Sequence, residues 1–197
     1  LYGENTSYNS GDTTYTFTGD GKYFETIWDG GGQDTIDYTD STTGAFIDLR
    51  EGEWSSLGQP IVFTNGFDVP QYTDARTVWI AYGAEIENAN GSQKGDIIYG
   101  NDLNNELYGN GGADYILGGS GDDFLDGGVG TDTAGYMAGR FGYSVQSLSG
   151  SIIVTDNISS EGDDTLVNIE RLEFTDYTVN LTIGDMVNSI ATETLKT

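Results

Sequence analysis

The sequence predicts an all-β protein centred on a coil of short, stacked parallel strands, with further β structure on both sides. Three observations carry this. From Gly91 to Gly135 the chain repeats with a strict period of nine. On either side, short runs of β-branched and aromatic residues are bounded by Gly, Asp or Asn. Thirty glycines stand against two prolines, the balance expected of many tight turns.

The repeat has five units: GSQKGDIIY, GNDLNNELY, GNGGADYIL, GGSGDDFLD and GGVGTDTAG. Gly opens each one. The sixth place holds Asp96, Asn105, Asp114, Asp123 and Asp132, and the eighth holds Ile98, Leu107, Ile116, Leu125 and Ala134. Each unit divides into a six-residue turn and a three-residue strand whose middle residue points inward, because side chains alternate along a strand. Two units make one circuit of the coil, so turns two units apart stack with a strand spacing of about 4.8 Å. Asp96, Asp114 and Asp132 should then line one side of the coil, and Asn105 and Asp123 the other. In GGSGDDFLD, Gly118, Gly119, Ser120 and Gly121 form the turn, and Asp122 and Asp126 are expected only to be solvated. Lys94 and Leu103 replace Gly at the fourth place, where a positive φ would be strained for Leu.

Stacked turns of this kind converge carboxylates and backbone carbonyls, an all-oxygen surrounding. Calcium accepts six to eight oxygen ligands in irregular geometry, magnesium demands a tighter octahedron, and zinc favours nitrogen or sulfur. Calcium is therefore the expected cofactor, as several ions.

The flanks read as strands. Before the repeat lie TTYTF (13–17), ETIWD (25–29), DTIDY (34–38), AFIDL (45–49) and TVWIAYG (77–83). Residues 55–76 contain both prolines and read as a long excursion. After the repeat come GYSVQSL, SIIVTD, DTLVNI, ERLEF and YTVNLTI, a capping unit of the sort a repeat stack needs to hide its open end. GDMVNSIATE is expected to form a short helix capped by Asp185. The expected division is thus a β-sandwich-like part over 1–90, the repeats over 91–135, a β cap over 136–183 and a tail over 184–197.

Composition narrows the function. The chain has 197 residues, with 32 acidic against 7 basic and a net charge of −25. Such a field repels nucleic acid and anionic lipid, so neither is an expected partner. Cysteine and histidine are both absent. Their absence removes disulfides, thiolate zinc sites, His-dependent triads and an HExxH zinc helix. This chain is therefore not expected to be an enzyme. No apolar run reaches the roughly 18 residues a membrane helix needs. No leader is visible, and the opening LYGENTSYN, without Met, reads as a piece of something longer.

The G-G-x-G-x-D-x-U-x pattern resembles the calcium-binding parallel β-roll of RTX proteins. More narrowly, LYG…SGDTTY, WDGGGQDTIDY, IDLREGEWSSLG and WIAYGAEIENANG resemble, in order, the C-terminal domain of serralysin-type secreted metalloproteases. That resemblance implies calcium ligands outside the repeats at Asn9, Gly11 and Thr13, at Asp29, Gly31, Gly32 and Asp34, and at Glu85 and Glu87, with Asp34 bridging two ions. Asn9 and Glu85 depart from the family's Arg and Thr, at positions where the family uses backbone carbonyls. Within the roll it implies the second, fourth and sixth places of one turn with the first, third and sixth of the turn stacked on it. Those are Ser92, Lys94 and Asp96; Asn101, Leu103 and Asn105; and Gly109, Asn110, Gly111, Gly112 and Asp114. In the last two units they are Gly118, Gly119, Ser120, Gly121 and Asp123, then Gly127, Gly128, Val129, Gly130 and Asp132. Residues 136–183 do not match the serralysin tail, and GDDTLVNIERLEFTDYTVNL looks like the closing segment of other RTX proteins. The family's export signal is not recognisable in SIATETLKT.

The resemblance implies a monomeric, extracellular, non-catalytic domain that folds on calcium after export through a type I secretion apparatus. It would support the secretion and stability of an attached N-terminal zinc metalloendopeptidase. One rival is an RTX module of an adhesin or a polysaccharide-modifying enzyme, with Trp54, Trp79 and the many tyrosines stacking on sugars. The other is a glycan-cleaving enzyme working through paired carboxylates, although calcium already accounts for the spacing of the acids.

Overall fold

The structure, a computed structural model, describes residues 9–64, 70–148, 150–181 and 192–195. Among these there is no α-helix, and a single 3-10 turn lies at Arg140–Gly142.

Two sheets face each other. In one, the strands run in the order Thr14–Thr16, Thr35–Asp37, Asn88–Asn90, Glu106–Tyr108, Phe124–Asp126, Asp163–Val167, Ser151–Asp156 and Tyr143–Leu148. In the other the order is Phe46–Asp48, Ile97–Tyr99, Tyr115–Leu117, Thr133–Gly135, Arg171–Glu173, Tyr177–Asn180 and Thr192–Leu195. Successive nine-residue units alternate between the sheets, so each strand pairs in parallel with the strand two units away. This is the parallel β-roll.

Inward-facing middle residues form two columns in strict register. Ile36, Ala89, Leu107, Leu125 and Leu166 pair successively in one sheet. Ile47, Ile98, Ile116, Ala134 and Leu172 do so in the other. All ten are buried, and burying each large aliphatic side chain contributes about 1.5–3 kcal/mol.

Both sheets cross residue 91, so the early strands and the repeats share one core. The roll continues through Asp163–Val167 and Arg171–Glu173, which still pair in parallel with the last two repeat strands. Beyond them the pairing turns antiparallel, with Ile152 opposite Leu166 and Leu172 opposite Val179.

The excursion at 55–76 contains a hairpin of Ile61–Thr64 with Pro70–Asp74. Trp54 and Trp79 sit opposite each other in a small side sheet. They meet Phe46 and Phe24 respectively, as half-buried strand aromatics. The helix expected within 184–193 falls mostly on residues outside those described. Its last two positions belong to the strand Thr192–Leu195.

Candidate metal centre

In the nine-residue units the residue just before each strand occupies the sixth place, and the residues that precede the roll strands form a ladder along each flank. On one flank the N–H of Ala45 donates to Asp96 Oδ1. The N–H of Asp96 then donates to Asp114 Oδ1 at 2.7 Å, that of Asp114 to Asp132 Oδ1 at 2.8 Å, and that of Asp132 to Glu170 Oε2 at 2.8 Å. On the other flank the N–H of Thr13 donates to Asp34 Oδ1 at 2.8 Å and that of Asp34 to Glu87 Oε2 at 2.7 Å. Further along, the N–H of Asn105 donates to Asp123 Oδ1 at 2.8 Å and that of Asp123 to Asp164 Oδ1 at 3.1 Å. The split of Asp96, Asp114 and Asp132 from Asn105 and Asp123 is the one the period predicts.

These bonds use one oxygen per carboxylate. The second oxygen of Asp34, Asp114, Asp123 and Asp132 is fully buried and has no hydrogen-bond partner. An unpaired buried anionic oxygen costs several kcal/mol. Burial pushes these carboxyls upward, with smaller contributions from neighbouring acids. Asp34 rises to about 6, and Asp114 and Asp123 to about 7. Asp132 is raised for the same reason. Each site needs either a proton or a cation.

The surroundings suit a hard cation. A Cβ added to Gly109 would fall against Asp114 Oδ2 and 2.7 Å from the Gly127 carbonyl. One added to Gly127 would meet the Asn168 carbonyl and Asp132. Glycine thus keeps a cradle open between a carboxylate and a facing carbonyl. Among the described residues, no group of three or more acidic side chains could hold an ion alone. Most ligands must therefore be backbone carbonyls, as calcium tolerates.

The first two units differ. In GSQKGDIIY, Asp96 Oδ2 accepts the Ser92 N–H at 2.7 Å, and Ser92 Oγ lies 3.1 Å from the same oxygen. In GNDLNNELY, Asn105 Nδ2 donates to the Glu87 carbonyl at 2.9 Å and to Asn101 Oδ1 at 3.0 Å. Asn105 Oδ1 in turn accepts the Asn101 N–H. Neither unit leaves an orphaned side-chain oxygen. Lys94 and Leu103 escape the expected strain because neither adopts a positive φ, whereas Gly112 and Gly121 at the same place do, at +130° and +105°.

The early residues converge as well. Asp29 is buried, accepting the Tyr15 hydroxyl at 2.6 Å and the Gly31 N–H at 3.0 Å. Thr13 bonds the Gly11 carbonyl through its hydroxyl and Asp34 through its N–H. Asn9 bonds Tyr15. The side chains of Asp29 and Glu87 both act on the Asp34 carboxyl, which brings 9–13, 29–34 and 87 to one edge of the roll. Glu85 is exposed and Gly32 packs against the backbone of Gly11.

Two expectations need correction. Asp122 and Asp126 do more than meet solvent. Asp122 Oδ1 accepts the Asp163 N–H at 2.9 Å, and Asp126 Oδ1 accepts both the Gly128 N–H and Asn168 Nδ2. Asp164 and Glu170, which sequence reasoning missed, continue the ladders, Asp164 from a sixth place and Glu170 from the end of a three-residue turn, 168–170. The signal was present in SSEGDDTLV (159–167), which has Gly fourth, Asp sixth and Leu eighth.

A family model described as the RTX calcium-binding nonapeptide repeat, in four copies, matches residues 99–134. Over 117 residues the chain is 37% identical to a serralysin of Proteus mirabilis, covering 53% of this chain and 21% of the relative. Over the same length it is 36% identical to the metallopeptidase AprA of Pseudomonas marginalis, covering 53% and 22%. It is 38% identical to the metalloprotease AprA of Pseudomonas entomophila, covering 53% and 21%. The chain spans about a fifth of the length of these curated relatives. It therefore carries RTX calcium-binding repeats and, over half its length, is related to the serralysins.

Proposed function

We propose that this chain is a non-catalytic domain whose roll folds on calcium. Its function would be to stabilise an attached secreted metalloprotease and to assist that protease's export. The observation that carries the reading is the set of four buried carboxylate oxygens, on Asp34, Asp114, Asp123 and Asp132, left without partners. The roll ions would be held by Asp114, Asp123 and Asp132 with carbonyls of 109–112, 118–121 and 127–130. Asp29, Asp34 and Glu87, with carbonyls near Asn9, Gly11, Gly31 and Glu85, would hold ions at the roll's edge. Ser92, Lys94, Asn101 and Leu103 would contribute only backbone oxygens.

The charge explains why the fold would wait for metal. With 32 acidic residues and 7 basic ones, the compact chain repels itself. Extracellular calcium modules have dissociation constants of about 10⁻⁴–10⁻³ M, so such sites stay empty in a calcium-poor cytosol and fill outside. At about ten times its dissociation constant, each ion adds about 1.4 kcal/mol. Several ions then rival the roughly 5–15 kcal/mol that stabilises a whole domain. An unfolded chain suits a narrow type I export channel, and folding outside would prevent its return. The relatives are named as metalloproteases, and an N-terminal protease domain is the attached partner this reading calls for.

Circular dichroism of the chain in calcium and in excess chelator is the direct test. A large gain of β signal on adding calcium is expected. Identical spectra would sink the folding role.

A further inference from the structure

The orphaned oxygens raise a question about the last two repeats. Asp114 has the Gly127 turn stacked ahead of it, but no repeat is stacked on the turns of Asp123 and Asp132. What faces them is the segment 159–170, outside the five units and outside the matched 99–134. We propose that this segment completes the last two calcium sites of the roll, with Asp164 opposite Asp123 and Glu170 opposite Asp132.

Register is the first support. Phe124 pairs with Thr165 and Thr133 with Arg171, which places Asp164 and Glu170 one rung beyond Asp123 and Asp132. Both accept the N–H of the rung below, as the repeat aspartates do among themselves. Turn geometry is the second. Gly162 holds the fourth place at φ +78°, and a Cβ there would strike the Gly121 carbonyl. The Gly121 N–H reaches the Ser160 carbonyl at 3.4 Å. Asn168, at φ +51°, turns its carbonyl towards Gly127 beside Asp132. The third support points to a ligand. Asp123 is 2% exposed and Asp132 0%, and each keeps one buried oxygen without a partner. Asp164 is itself buried at 3% exposure. The C-terminal unit is then a metal-dependent lock on the open end of the roll as well as an apolar cap.

The inference rests on the calcium reading, and one experiment separates the two. Isothermal titration calorimetry counts calcium ions per chain for the full 197-residue protein and for D164N, E170Q, the double variant and D163N. Asp163 is exposed, one residue away, and offers the matched loss of charge. D164N and E170Q should each lose one ion, or bind it at least tenfold more weakly, the double variant two, and D163N none. Folded D164N and E170Q with the wild-type count and affinity overturn the inference. A wild-type chain that takes up no calcium overturns the reading beneath it. Should D164N not fold, E170Q asks the same question on the other flank, and hydrogen exchange of the wild type asks it of both. Protection of 159–171 that is indifferent to calcium overturns the inference.

Discussion

The backbone N–H of Asp114 donates to Asp132 Oδ1 at 2.8 Å, eighteen residues ahead, while Oδ2 of both residues is buried and unpaired. One carboxylate therefore performs two tasks. It splices adjacent rungs of the roll, and it presents a desolvated negative charge that folding alone does not satisfy.

Separating those tasks gives the first prediction. D114N retains an oxygen for the Asp96 N–H and removes the charge. Urea unfolding should show the calcium-induced gain in stability falling by about 1.4 kcal/mol, one ion at about ten times its dissociation constant. Stability in chelator should hold or rise. An undiminished calcium response would show that Asp114 is only a splice.

Ser92 gives the opposite pattern. Its hydroxyl and N–H both lie on the Asp96 carboxylate, and bonds to a charged group contribute about 1.5–3 kcal/mol. S92A should cost about that hydroxyl bond in saturating calcium, with the number of ions bound unchanged, because alanine keeps the backbone carbonyl. A lost ion would mean that the Ser92 hydroxyl is itself a ligand.

The contrast between these units shows how far the sequence reaches. The period of nine identifies the sixth and eighth places because the five units are contiguous and each inward residue has a fixed phase. Sequence reading cannot tell that Ser92 partners the second oxygen of Asp96. The Ser92 hydroxyl and the second oxygen of Asp96 meet only once the turn has closed. Nor does it connect Asp34 to Glu87 or Asp123 to Asp164, whose rungs adjoin although they stand 53 and 41 positions apart in the chain. DGGGQDTID (29–37) and SSEGDDTLV carry the repeat signature, but hairpins and loops interrupt the count between them. Asp122 escaped notice for a related reason, since its partner, the Asp163 N–H, comes from such a distant rung.

The inward columns predict an asymmetric response to truncation. Ile116 is fully buried between Ile98 and Ala134, so I116A should cost about 2–5 kcal/mol. Val129 is 80% exposed in the same roll, and V129A should change stability by less than about 0.5 kcal/mol. Both are read from denaturation midpoints in saturating calcium. Equal losses would contradict the inward phase of the eighth place.

Acidity should act in opposite directions with and without metal. In the folded chain burial raises Asp114 and Asp123 to about 7 and Asp164 to about 8, against about 3.9 when unfolded. A raised carboxyl binds more protons in the folded state than in the unfolded state between those limits. In chelator, therefore, stability is greatest near pH 4 and falls as pH rises towards 8. Calcium must displace those protons, so its apparent affinity should rise over the same range, by about tenfold or more between pH 5.5 and pH 8. Titrating calcium by circular dichroism at both pH values measures the two slopes. If stability in chelator rose with pH, these carboxylates would already be paired within the metal-free fold, and their second oxygens would not be waiting for a cation.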